Sequence, residues 1–212
     1  MKNFITLKTQ NAPIIGVFLS WCMAIFISFY VYSSPENVEA IFNALRTKDA
    51  LFFIALPLFV VVLSGLISSQ NKARLVYWRW DFPLPGHRVF SELIEEDTRI
   101  DVALLASRIG QLPVGPREQN NTWYAMYKSV SSNPVISSSH RNFLLLRDMT
   151  AYSFVFLVVG SPVLFMLKRD TFVMLGYALT FMVHFAAIAI SANNIGNRFA
   201  CNVICEFVNS KK

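Results

Sequence analysis

Four long apolar runs divide this chain, at residues 14–32, 50–67, 149–167 and 172–190, and none contains Asp, Glu, Lys or Arg. Each holds 18 or 19 residues. At ~1.5 Å rise per residue, a helix of that length nearly crosses a hydrocarbon core of ~30 Å. Helices of a water-soluble domain keep a polar face, which these runs lack. The pattern predicts an all-α membrane protein with four transmembrane helices in two hairpins, 1–68 and 149–191. Between the hairpins lies a polar block, 69–148, too long to be a loop, and an amphipathic tail, 192–212, follows them. The run at 14–32 exceeds the roughly 7–15 apolar residues of a secretory signal and is expected to persist as the first span.

Periodicity inside the polar segments predicts further helices. In the first loop, Ser34-Pro35 suits an N-cap and first helical position. Val38, Ile41, Phe42 and Leu45 then form one apolar stripe. In the central block, Val89 to Ile94 reads as a short helix. Asp101 caps another, carrying Val102, Leu105 and Ile109 and ending at Gly110. Residues 119–130 place Trp123, Tyr127 and Val130 on one face. Asn133-Pro134 reads as a break, and Ser137 to Ser139 as caps of a last helix running straight into the third span. The block is thus a small helical domain, expected to lean on the membrane helices or on other subunits.

Charge sets the orientation. Lys2, Lys8, Lys72, Arg74, Arg79, Arg141, Arg147, Arg198, Lys211 and Lys212 fall on one side of the spans, and Arg46, Lys48, Lys168 and Arg169 on the other. The excess predicts that both termini and the block face the cytoplasm. Only 15% of residues are charged, against roughly 25% in an average soluble domain. The formal net charge is +6, yet the block, with 10 basic and 8 acidic residues, nets only +2. The remaining excess flanks membrane ends, where anionic lipid attracts it. No direct nucleic-acid binding is expected. Trp78 and Trp80 beside Arg79 look like an interface anchor rather than a base-stacking platform.

Few residues carry candidate chemistry. His184 lies in the interior of a span, either titrating or lining a path with Thr180, or packing as a neutral histidine. Arg147-Asp148 stands where the block enters the third span, either locked to the block by pairing or snorkelling to headgroups. Asn193 and Asn194, with Ser and Thr side chains, are the groups that would line a pore, which would need several subunits. Gly16 and Ser20, and the alanines of the fourth span, allow close helix approach, so a homo-oligomer is expected. Glu92, Glu95, Glu96, Asp97 and Asp101 form a solvated acidic face paired partly with Arg88 and Arg99, without the spacing of a calcium loop. Cys201 and Cys205 share a helix face, but further zinc ligands are missing nearby. The three cysteines imply no disulfide framework. Ser161 with His184 is a poor hydrolase pair, because the serine precedes a proline and no nucleophile elbow is present. No catalytic set, metal site or cofactor is expected.

Two hairpins around a cytosolic block, with the stretches PLPGHRVF at 83–90, DTRID at 97–101, Gln119-Asn120, Trp123-Tyr124 and LLRD at 145–148, resemble the retron-associated transmembrane effectors of bacterial antiphage defence. The membrane subunit of Kiwa-type defence is a second resemblance. The likeness covers the whole chain in topology and only these short stretches in sequence. It implies a non-enzymatic, toxin-like protein of the bacterial inner membrane, held silent by a reverse transcriptase–RNA/DNA complex. Release on phage attack would damage the membrane and arrest the cell in abortive infection. Beside it stand two alternatives, a structural subunit of a larger membrane complex and a small transporter.

Overall fold

In a computed structural model of the chain, residues 7–32, 48–166 and 169–210 are described. The expected stripe from Val38 to Leu45, the caps Ser34 and Pro35, and the cations Lys2, Arg46, Lys168, Lys211 and Lys212 lie outside them.

Every described element is helical: α1 (Leu7–Tyr32), α2 (Lys48–Leu66), α3 (Ser69–Tyr77), α4 (Val102–Ile109), α5 (Pro116–Val130), α6 (Pro134–Met166) and α7 (Thr171–Asn209). A 3-10 turn, Pro85–His87, and a π-helical turn, Val89–Leu93, which continues as Ile94–Glu96, stand between α3 and α4. Three helices are long and apolar enough to cross a membrane, at Thr9–Tyr32, Pro134–Met166 and Thr171–Asn209. α2 adds a shorter apolar stretch, Pro57–Leu66.

The chain forms two compact units, to each of which α6 and α7 contribute. One unit comprises Met1–Thr9, Ala73–Arg147 and Ala189–Lys212, and the other Gln10–Lys72 and Asp148–Ile188. The C-terminal tail thus belongs with the central block.

The second, apolar unit is centred on aromatic rings. Phe26, Phe156, Tyr177 and Phe181 are buried, with Tyr177 edge-on to Phe26 and Phe156 stacked on Phe181. Tyr177 Oη donates to the Phe156 carbonyl of α6 at 2.8 Å, and its phenol lies over Gly160. A side chain at 160 would meet that ring.

The first unit packs around Phe199 of α7. Trp123 and Tyr127 meet its ring edge-on, and His140 lies flat against it at 5.1 Å. Leu105, Met126, Ile136 and Ile204 complete the core. Asp101 caps α4 through a bond from the Leu104 amide at 2.9 Å, and Gly110 ends it at φ 80°. α5 begins earlier than its stripe suggests, at Pro116, because proline needs no amide donor at a first helical position. The Asn133-Pro134 pair marks the expected break between α5 and α6, and it also starts α6. Asn133 Oδ1 accepts from the Val135 amide at 2.8 Å, and Pro134 takes the first helical position. The expected cap Ser139 lies inside α6 and accepts instead from Asn202 at 3.0 Å.

Candidate functional site

Two polar contacts of the apolar unit bear on the candidate residues. Lys72 Nζ pairs with Asp148 Oδ1 at 3.1 Å, both side chains about one-tenth exposed. Charges so withdrawn from water are held by mutual attraction. Deeper in the same unit, His184 Nδ1 lies 3.1 Å from Ser153 Oγ, and its ring stacks on Phe18 at 5.5 Å. The histidine is therefore both packed and hydrogen-bonded. Thr180 donates to the Gly176 carbonyl of its own helix, and Ser161 to the Leu157 carbonyl. Neither hydroxyl is turned to His184, so the arrangement holds no serine–histidine pair at Ser161.

In the other unit a polar seam runs along α7. Asn193 Oδ1 accepts from Asn197 Nδ2 at 2.9 Å, and Asn197 Oδ1 accepts from Arg88 at 2.8 Å. Arg88 is buried, bonds Glu92 at 3.1 Å and lies over the Tyr77 ring. Burial lowers the pKa of its guanidinium and raises that of the Tyr77 phenol. Further along, Arg99 binds Asp97 through two nitrogens, at 2.8 and 2.6 Å, and reaches Asn202 at 3.0 Å. That grip holds the Asp97 carboxyl below its usual range. Arg147 is buried, and Asn194 is exposed on α7.

Between the turn after Leu93 and α7 lies a groove of about 350 Å³, lined by Glu96, Asp97, Thr98, Arg99, Asn197 and Arg198 among others. It presents both charge signs side by side and suits a polar segment better than a small apolar ligand. Among the described residues no group of three or more His, Cys, Asp or Glu side chains could hold a metal ion. Cys201 is buried, its sulfur 3.9 Å from the Leu93 carbonyl.

Comparison with protein-family models, with curated proteins and with solved structures finds no match. Of the residues singled out in the sequence, Asp148 and His184 acquire partners, Lys72 and Ser153, that sequence reasoning missed. Asn193 joins the seam through Asn197. Arg88 and Arg99 meet the acidic residues Glu92 and Asp97 with which the sequence paired them, but their bonds to Asn197 and Asn202 escape sequence inspection because they join residues 109 and 103 positions apart. The local signals are the i, i+4 spacings of Asn193 with Asn197 and of Arg88 with Glu92.

Proposed function

We propose that this chain is a non-enzymatic membrane effector of bacterial antiviral defence, which disrupts inner-membrane integrity when a partner complex releases it. The observation that carries the membrane half is the outer face of the apolar unit. Val17, Trp21, Leu58, Phe165, Phe172 and Leu179 are each more than half exposed, while Phe26, Tyr177 and Phe181 are fully buried. So much exposed apolar surface is costly in water and costs nothing in lipid. In this reading the four runs 14–32, 50–67, 149–167 and 172–190 all span, as two hairpins, and both termini and the block face the cytoplasm. The effector half is supported by the resemblance of residues 83–90, 97–101 and 145–148, and by a polar groove suited to a regulatory segment. A reverse transcriptase–nucleic acid complex is the proposed regulator, acting through protein contacts. The Lys72–Asp148 pair and His184 join Asn193, Asn194 and the Ser and Thr side chains as polar groups available to a path through the bilayer once subunits assemble.

Expression without neighbouring genes tests the proposal. Membrane-potential dyes should report depolarisation, and Asp148→Asn should weaken it. A polarised, growing population at full expression sinks it.

A second reading, a non-toxic subunit of a larger membrane complex, is favoured by one feature. A groove of about 500 Å³ on the apolar unit is lined by Gly16, Ser20, Ala24 and Pro57 among others, small enough for another helix to approach. Stable co-purification with a membrane partner from uninfected cells, without depolarisation, would favour that reading.

A further inference from the structure

The chain spends two bulky aromatic residues at backbone positions that suit glycine. Trp78 follows the last residue of α3, with its amide bonded to the Arg74 carbonyl at 2.8 Å and φ at 52°. That is the left-handed position after a helix where a side chain is strained and glycine is the default. Phe82 repeats the conformation at φ 48°. Burial in the chain's own core does little to compensate the strain, since Trp78 is 62% exposed and Phe82 38%, and the neighbouring Trp80 is 78% exposed. Folding alone would favour smaller residues here.

The segment is nevertheless well fixed from behind. Arg74 Nε donates to the Trp80 carbonyl at 2.9 Å, and its guanidinium lies over the Trp80 ring at 5.6 Å. Arg117 lies over the Phe82 ring at 5.9 Å. Arg79 forks onto Glu92 at 3.3 and 3.1 Å, and Pro83 is buried. The result is an ordered knuckle with two indoles outward and guanidinium groups against aromatic faces. Indoles, apolar in body with one N–H donor, favour the boundary between hydrocarbon and water. Guanidinium groups complement phosphate in charge and shape. In sequence, only residues 67 and 68 and the nine-residue α3 separate the apolar α2 from Trp78.

We propose that the segment 78–84 is a bilayer-binding knuckle, seating Trp78 and Trp80 in the phospholipid headgroup layer with Arg74 and Arg117 facing lipid phosphate. The proposal rests on the membrane reading above, and Trp21, exposed on α1, separates the two.

The full chain, reconstituted into phosphatidylcholine–phosphatidylglycerol vesicles, carries four tryptophans. Lipids brominated near the headgroup, lipids brominated near the bilayer centre, and aqueous acrylamide serve as fluorescence quenchers. Headgroup bromine should quench a component that acrylamide spares and that Trp78→Phe/Trp80→Phe removes. Trp78→Gly, which relieves the backbone strain, should lose part of that component without lowering the melting temperature. If acrylamide quenches the Trp78/Trp80 component and bromine does not, the knuckle faces water or a protein partner and the proposal fails. Trp21→Phe should remove the component quenched from the bilayer centre. A quenched Trp21 beside an unquenched knuckle overturns the knuckle alone. If no tryptophan responds to either bromolipid, the membrane reading falls with it.

Discussion

Replacing Gly196 of α7 by alanine sets two physical effects against each other. Inside a helix, glycine is less favourable than alanine by about 1 kcal/mol, so propensity alone predicts stabilisation. A Cβ at 196 would press on the Tyr77 hydroxyl and lie 2.8 and 2.9 Å from two Phe143 ring carbons. Both rings are buried, and the Tyr77 ring is also covered by the Arg88 guanidinium at 5.2 Å, so neither moves aside easily. Overpacking of this kind costs about 1–3 kcal/mol, and with ring atoms on both sides the upper part of that range applies. The net expectation for Gly196→Ala is a loss of about 2 kcal/mol, some 4 °C or more in a reversible melt. The Tyr77 hydroxyl is buried without a hydrogen-bond partner, so Tyr77→Phe should be neutral or slightly stabilising. It also removes the atom that Cβ meets first. The double variant should therefore recover part of the loss, with Phe143 retaining the rest. Circular-dichroism melts of the four proteins in detergent complete the cycle. A Gly196→Ala protein more stable than its parent, or a double variant equal to the sum of the singles, refutes the packing described.

Two further outcomes follow from the same unit. Gln119 is buried; its Oε1 accepts from the Phe90 amide at 3.0 Å, and its Nε2 donates to the Val114 carbonyl at 2.9 Å. Gln119→Leu leaves both backbone groups short of a partner and should cost about 2 kcal/mol by chemical denaturation, whereas an unchanged midpoint would show that they re-pair. Because Arg99 depresses the Asp97 pKa in the folded chain, this pair's contribution is present above about pH 4. It is lost as pH falls through the depressed folded value. Asp97→Asn should therefore flatten acid destabilisation below that pH, and an unaltered acid limb in stability-versus-pH curves would contradict the assignment.

Much of the architecture was legible because lipid leaves a signature that needs no tertiary knowledge. A span must satisfy its own backbone and offer apolar side chains all round, so α1, α6 and α7 are visible as unbroken runs. Capping is equally local: Asp101 and Gly110 bracket α4 where their chemistry places them. Asn133-Pro134 is legible as a break, and only the direction of the Asn133 side chain shows that the same pair also starts α6. The π-helical turn at Val89–Leu93 replaces a plain helical turn, and periodicity is blind to a single widened turn. The candidate site was least legible. Lys72 counts in sequence as one more cytoplasmic cation, and nothing local ties it to Asp148, 76 residues away. The exposed apolar residues are informative in the opposite sense, since an outward apolar face is what a bundle set in lipid requires and a soluble core avoids.

The buried thiols give the molecule its own clock. Cys22 lies in the apolar unit and Cys201 in the unit built around Phe199, and both are buried. A buried thiol reacts only during an excursion that uncovers it, so its alkylation rate measures the frequency of that excursion. In a Cys205→Ser background, which removes the half-buried thiol, labelling Cys201 with a water-soluble maleimide and Cys22 with a lipid-soluble one times the opening of each unit separately. If the chain is activated as proposed, the order in which the two thiols become reactive would reveal whether the disturbance begins in the polar unit or in the bundle.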